Sequence, residues 1–213
     1  MKKFFTFEGI DGSGKEAQLL AFVHALKNGC TYFKGNKHGP MWLTREPTKL
    51  TWYGEEICRL LKTEHVSAED ATKLFVADRI EHTKKHIVPE LKRNNVLSSR
   101  YDLSTLAFQM AQGADFDELY ALHNYGKRDG ARIPDITFVL DLPPKVALQR
   151  IDKRGDKREY FEKDSFQEKV AKAQRFCIDK LRALDGRTIV VVNANQTIPE
   201  VTDELLRKAA PHL

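Results

Sequence analysis

Cysteine is scarce, with three in 213 residues. Cys30, Cys58 and Cys177 stand far apart and odd in number. That pattern excludes a disulfide framework and shows no metal-ligand spacing, so a reducing cytoplasm is the expected compartment. Long apolar runs are missing as well. Nothing approaches the roughly 18–20 consecutive apolar residues that a bilayer span demands, and no membrane partner is expected. The opening Met1-Lys2-Lys3-Phe4-Phe5-Thr6-Phe7-Glu8 sets lysines ahead of hydrophobics, as a signal peptide does. Its apolar stretch ends at Glu8 after a few residues, and that reading is rejected. Internal repeats, low-complexity tracts and interdomain linkers are also lacking. A chain of 213 residues suffices for a sizeable core, so residues 1–213 are expected to form one domain. The charge balance leans basic: 35 Lys and Arg against 30 Asp and Glu leave +5. Such an excess suits nucleic acid, a membrane surface or a small polyanion. No recognition motif for nucleic acid accompanies it, so a nucleic-acid partner is not expected.

What is present is an alternation of short strand-like runs with long helical ones. Strands are expected at Phe4–Phe7, Met41–Thr44, Val96–Ser98, Ile136–Leu140 and Ile189–Val192. Leu19, Phe22, Val23 and Leu26 recur at helical spacing, and Asn28-Gly29 is a stop signal. The Gly-, Lys- and Asn-rich segment 30–40 reads as an exposed loop. Further helices are expected at Glu55–Leu61, Leu103–Gln112, Asp117–Tyr125, one opened by Pro143-Pro144 and running to about Asp152, a long segment ending near Leu184, and Ile198–Ala209. Ser67 is a candidate N-cap for a helix running to Arg93, in which Pro89 predicts a kink. Five strands alternating with helices imply an α/β protein whose parallel sheet is covered on both faces.

The strongest motif is Gly9-Ile10-Asp11-Gly12-Ser13-Gly14-Lys15, directly after the first strand and before the first helix. This is a P-loop in its proper context. Its glycines let successive N–H groups point inward around an anion. The helix N-terminus adds partial positive charge, and Lys15 supplies a point charge for β- and γ-phosphates. The position after Lys15 calls for a Ser or Thr hydroxyl as an Mg²⁺ ligand; Glu16 stands there. A carboxylate can also ligate Mg²⁺, which makes Glu16 the candidate metal residue.

Phe7 to Lys15, with Thr44-Arg45-Glu46-Pro47, Leu74-Phe75-Val76-Ala77-Asp78-Arg79 and Ser99-Arg100-Tyr101, resembles thymidylate kinases segment by segment. The fourth strand from Pro134 to Asp141 and the charged run Arg154-Gly155-Asp156-Lys157-Arg158, with Phe166, continue the resemblance in family order. The resemblance implies a three-layer α/β/α P-loop NTPase fold, sheet order 2-3-1-4-5, a short lid at about 150–162 and a homodimer. It implies Mg²⁺-dependent transfer of the γ-phosphoryl group from ATP to dTMP. Gly9, Asp11, Gly12, Ser13, Gly14, Lys15, Glu16 and Arg150 would then face ATP. Arg45 and Arg100 would hold the acceptor phosphate, and Asp11 would reach the acceptor sugar. Phe75 would stack on the base, Arg79 would bond its edge, and Thr105 and Phe108 would wall its pocket. Lys15, Arg100, Arg154 and Arg158 would carry catalysis by neutralising charge on the transferring group.

Plainer readings stand beside these. Phe75 and Phe108 could be core aromatics, Arg79 half of a surface ion pair, and residues 153–158 a solvated charge run. His82 and His86, four apart on a helix, could share a metal, but no third ligand is near and lysines adjoin them. Ser99 stands where the family carries an acid, and Thr48-Lys49-Leu50 where it usually has Gly-Gly-Thr. If Glu16 compensates for the acid missing at Ser99, the double change Glu16→Thr/Ser99→Asp should outperform either single one. Two alternatives to a dTMP kinase remain at this level. One is a kinase for another nucleoside monophosphate; the other is a catalytically weak nucleotide-binding homologue, given Glu16 and Ser99.

Overall fold

The computed structural model describes residues 2–28, 40–61, 66–153 and 164–212. Five strands, β1 (Phe4–Glu8), β2 (Met41–Arg45), β3 (Asn95–Ser99), β4 (Ile136–Asp141) and β5 (Ile189–Asn193), make one parallel sheet. Its order is β2-β3-β1-β4-β5, as the resemblance to thymidylate kinases implied. Phe7 stands level with Ser99 and Phe138, and Arg45 level with Ser99. The register therefore brings the ends of β1, β2 and β3 to one carboxyl edge, where sheets of this class bind ligands.

Nine helices lie among the described residues: α1 (Lys15–Asn28), α2 (Trp52–Leu60), α3 (Ala68–His82), α4 (Val88–Glu90), α5 (Asp102–Ala111), α6 (Phe116–Arg128), α7 (Pro144–Asp152), α8 (Asp164–Asp185) and α9 (Ile198–Ala209). Strand β1 shows how they cover both faces. Alternate side chains of a strand point opposite ways. Phe5 and Phe7 meet Phe22 of α1 and Phe138 of β4, at ring-centre separations of 5.2–6.3 Å. On the other face Phe4 packs edge-on against Tyr101, and Glu8 accepts from Ser104 of α5. Helices α1 and α9 pack together, as do α5 and α8, α2 and α3, and α3 and α6.

Local details amend the sequence reading. Helix α2 starts at Trp52, three residues ahead of the expected Glu55, because the Thr51 hydroxyl caps it by accepting from Gly54 N at 3.0 Å. Ser67 caps α3 as expected, accepting from Asp70 N at 3.1 Å. The kink expected at Pro89 takes the form of a π-helical turn, Thr83–Ile87, joining α3 to α4. Within it Val88 N–H reaches back five residues to Thr83 O. Widening the turn ahead of a proline relieves its ring against the preceding carbonyls. The expected loop at 30–40 and lid at 150–162 lie outside the described residues except for Pro40 and 150–153.

Candidate active site

The loop leaving β1 is shaped by its glycines. Gly9, Gly12 and Gly14 have φ of +149°, +78° and +86°. At Gly12 a Cβ would also overlap the Ala147 carbonyl of α7, so the loop lies flush against that helix. Lys15 is buried, and its ammonium donates to Gly9 O (3.0 Å) and Ile10 O (2.8 Å), with Ser13 Oγ at 3.5 Å. Burial, and then the nearby Arg100 charge, bring its pKa down to about 7. A phosphate entering the loop would replace carbonyl dipoles with full negative charge and hold Lys15 protonated.

Arg100 follows β3 with φ +67°, a left-handed conformation unusual for a non-glycine residue. Its side chain pairs with Asp11, reaches Ser104 Oγ at 3.2 Å and Gly9 O at 3.5 Å, and stacks 5.1 Å from the Phe108 ring centre. Asp11 also accepts from Gln167 Nε2 at 3.2 Å. Phe108 and Phe166 lie 6.2 Å apart, centre to centre. Behind this group the wholly buried Glu8 has its pKa pushed up to about 7 by burial, which the Ser104 hydrogen bond only partly offsets. Glu8 was not singled out from sequence. Its signal was an acid on the inward-facing alternation of a buried strand.

Arg45, at the end of β2, is exposed and lies 3.7 Å from Glu16 in the first turn of α1. Arg79, by contrast, is enclosed. It bonds Glu46 through Nε (2.9 Å) and Nη2 (2.7 Å), gives Nη2 to Thr105 Oγ1 (3.0 Å), and sits 4.7 Å over the Tyr101 ring. The plain reading of Arg79 as half of a surface ion pair is thus corrected: the pair is buried. A carboxylate beside an arginine fork suits it, because two charges leaving water need close, multiple contacts. His82 donates from Nδ1 to the same Glu46 (3.2 Å), and its Nε2 meets the Thr44 hydroxyl at 2.8 Å. His82 and His86 have rings 6.1 Å apart. Among the described residues no group of three or more His, Cys, Asp or Glu is placed to hold a metal. Asp78, beside Arg79, accepts from Thr48 N at 3.0 Å and from Thr51 Oγ1, fastening α3 to the turn after β2.

Phe75 lies half-buried on α3, and Ser99 is buried at the end of β3. Arg150, in the last turn of α7, donates to Ala194 O at 2.9 Å and borders the loop beside Gly14. Arg154 and Arg158 fall outside the described residues. Glu46, Gln167 and Asp78 carried no individual signal as site residues, since each acts through a partner more than 25 residues away. No described helix is long and apolar enough to cross a membrane.

The arrangement sets an anion-binding loop beside two arginines at the carboxyl edge of a parallel sheet. A magnesium ion bound mostly through nucleotide phosphates and water needs only one or two protein oxygens, and the Glu16 carboxylate at the loop's edge suits that role.

The sequence model of the family described as thymidylate kinase matches residues 7–205. A probable thymidylate kinase of Thermococcus onnurineus is 36% identical over 220 aligned positions, covering 96% of this chain and all of that protein. One from Methanococcus maripaludis strain C7 is 32% identical, covering 97% of this chain and 94% of the relative. One from Pyrococcus horikoshii is 38% identical over 78% of each chain.

Proposed function

Since the chain belongs to the thymidylate kinase family and is on that ground a nucleoside-monophosphate kinase, we propose that Arg45 and Arg100 present dTMP to ATP held on the Gly9–Lys15 loop. The observation that carries this assignment is the convergence of Arg100, Asp11 and the loop: one guanidinium touches Asp11, Gly9 O and Ser104 at the sheet edge. Arginine forks match phosphate oxygens, and Arg100 is already oriented by Asp11, Ser104 and the Phe108 face.

The reaction needs little covalent chemistry from the protein. The acceptor phosphate must be held in line with the γ-phosphoryl group, and the developing charge must be neutralised. Lys15 supplies charge at the β- and γ-phosphates, and the backbone N–H groups of the loop cradle them. Bound Mg²⁺ would neutralise charge on the β- and γ-oxygens, with Glu16 as the carboxylate at hand. Phe75, Thr105 and Phe108 form the base side of the acceptor site. There Arg79 would offer a base edge the donors that Glu46 and Thr105 leave over. Arg150, with Arg154 and Arg158, would close over the transferring group. The unit is proposed to be one domain that pairs as a homodimer in a reducing cytoplasm. The free thiols of Cys58 and Cys177 agree with that compartment.

A coupled ADP-release assay with ATP, Mg²⁺ and dTMP, dUMP, dGMP or dAMP in turn tests the reading. Turnover with dTMP well above the others is expected. Preference for another acceptor would reassign the substrate. ATP binding without turnover on any acceptor would mean that the loop is kept and the chemistry lost.

A further inference from the structure

Where a P-loop places a neutral hydroxyl this chain has Glu16, and the structure turns that carboxylate toward β2. Its Oε1 lies 3.7 Å from Arg45 Nη1, and both side chains are more than 60% exposed, at 66% and 61%. A serine or threonine at this position could not form the pair, having neither the charge nor the reach. Because Arg45 is the outer of the two arginines at the acceptor edge, one guanidinium is offered to two anions. We propose that Glu16 is an intramolecular competitor for Arg45. It holds the guanidinium until the acceptor phosphate displaces it, and the freed carboxylate then serves the metal on the donor phosphates.

The magnitudes allow the exchange. An exposed ion pair at 3.7 Å contributes about 0–1 kcal/mol, so Glu16 yields readily. A phosphate monoester carries about −1.5 to −2 charge near neutral pH and matches the arginine fork with two oxygens, so it outcompetes one carboxylate. The pairing also explains how the loop tolerates an acid beside bound phosphates, since Arg45 neutralises it while the acceptor site is empty. Once the acceptor takes Arg45, a bare Glu16 beside the phosphates is unfavourable unless a cation joins it. Acceptor and metal must then raise each other's affinity by the same factor. The inference rests on the reading in which Arg45 holds the acceptor phosphate. It also replaces compensation for Ser99 as the account of Glu16, because the partner found is a cation on β2.

The test is calorimetric titration of dTMP, without ATP or metal, into wild type, Glu16→Gln, Arg45→Gln and the double variant. Glu16→Gln should tighten dTMP about two- to five-fold where Arg45 is present, the upper part of the range an exposed pair spans, and leave it unchanged where Arg45 is absent. Equal tightening in both backgrounds would show general charge repulsion and overturn the competition. Arg100 should keep dTMP binding measurable without Arg45. Should it not, Mn²⁺ affinity for the ADP complex, read by electron paramagnetic resonance, decides. Added dTMP should strengthen Mn²⁺ binding in wild type and not in Glu16→Gln, and no strengthening in wild type would overturn the coupling. If wild type binds no dTMP at all, the functional reading falls too; binding with a flat mutant cycle defeats only the role of Glu16.

Discussion

Glu8 carries an energetic cost that most residues of the core avoid. It has no exposed surface, and its pKa is pushed up to about 7 chiefly by burial. The unfolded chain loses this proton near the ordinary glutamate value of 4.5. Between that value and about 7 the native state binds more protons than the unfolded one, so the contribution of Glu8 is intact at low pH and is lost as pH rises through the window. Glu8→Gln keeps the shape and an acceptor for Ser104 but cannot ionise. Its melting temperature should overtake that of wild type increasingly from about pH 5 to about pH 8, with at most about 3 kcal/mol at stake. A difference independent of pH would mean that Glu8 is neutral throughout. Asp78 leans the same way, raised to about 6 by burial and by Glu46. It is therefore the background against which the variant's slope must be read.

At the scale of elements, the acceptor side of the site is assembled by packing α2 and α3 onto the turn after β2. Asp78 reaches from α3 to Thr48 N and to the N-cap of α2, Thr51. Gly54, in the first turn of α2, leaves room for the Thr48 carbonyl, and a Cβ built there would overlap that oxygen and crowd Asp78. Gly54→Ala should therefore push α2 away from the turn, although alanine is the better helix former by about 1 kcal/mol. The expected outcome is a lower melting temperature and dTMP binding weakened at least several-fold, with ATP binding little changed. Equal losses for both nucleotides would show that α2 braces the whole site rather than its acceptor half.

Across the whole molecule, one buried ionic network ties the helical layer to the sheet. Arg187, just before β5, bonds Asp102 of α5 at 2.6 Å and Asp185 of α8 at 2.8 Å, and Lys127 of α6 joins Asp185 at 2.9 Å. Burial raises the pKa of Asp102, but Arg187 and Arg79 outweigh it and hold that carboxyl below its ordinary range. Removing one member of such a set leaves its partners charged and dry. Arg187→Met should cost about 3–5 kcal/mol in chemical denaturation while leaving the KM for dTMP near wild type. A loss under 1 kcal/mol would mean that water reaches Asp102 and replaces the arginine.

Much of this molecule was legible in the order of its residues, because the signals concerned are local. Gly9–Lys15 announces a phosphate loop through spacing alone: three glycines with positive φ and a lysine are needed within one turn of chain. Short apolar runs placed all five strands; β1 and β3 are buried throughout, which favours such runs. Thr51 was a readable cap passed over, and Pro89 marked a disturbance without saying that the helix would widen to a π turn. The sheet order came from likeness to a family rather than from periodicity, because which strands become neighbours depends on crossovers that local patterning does not record.

Only the tertiary structure decided the partners. Arg79 could not be told from a surface arginine until the turn after β2 delivered Glu46, and α5 delivered Thr105, to its guanidinium. Glu16, the candidate metal carboxylate, gained its cationic neighbour only when β2 set Arg45 within 3.7 Å of it. The physical reason is the same in each case. Charge and hydrogen-bond capacity belong to the residue and can be read one letter at a time. The burial that prices a charge, and the opposite charge that offsets it, are properties of places where distant segments meet.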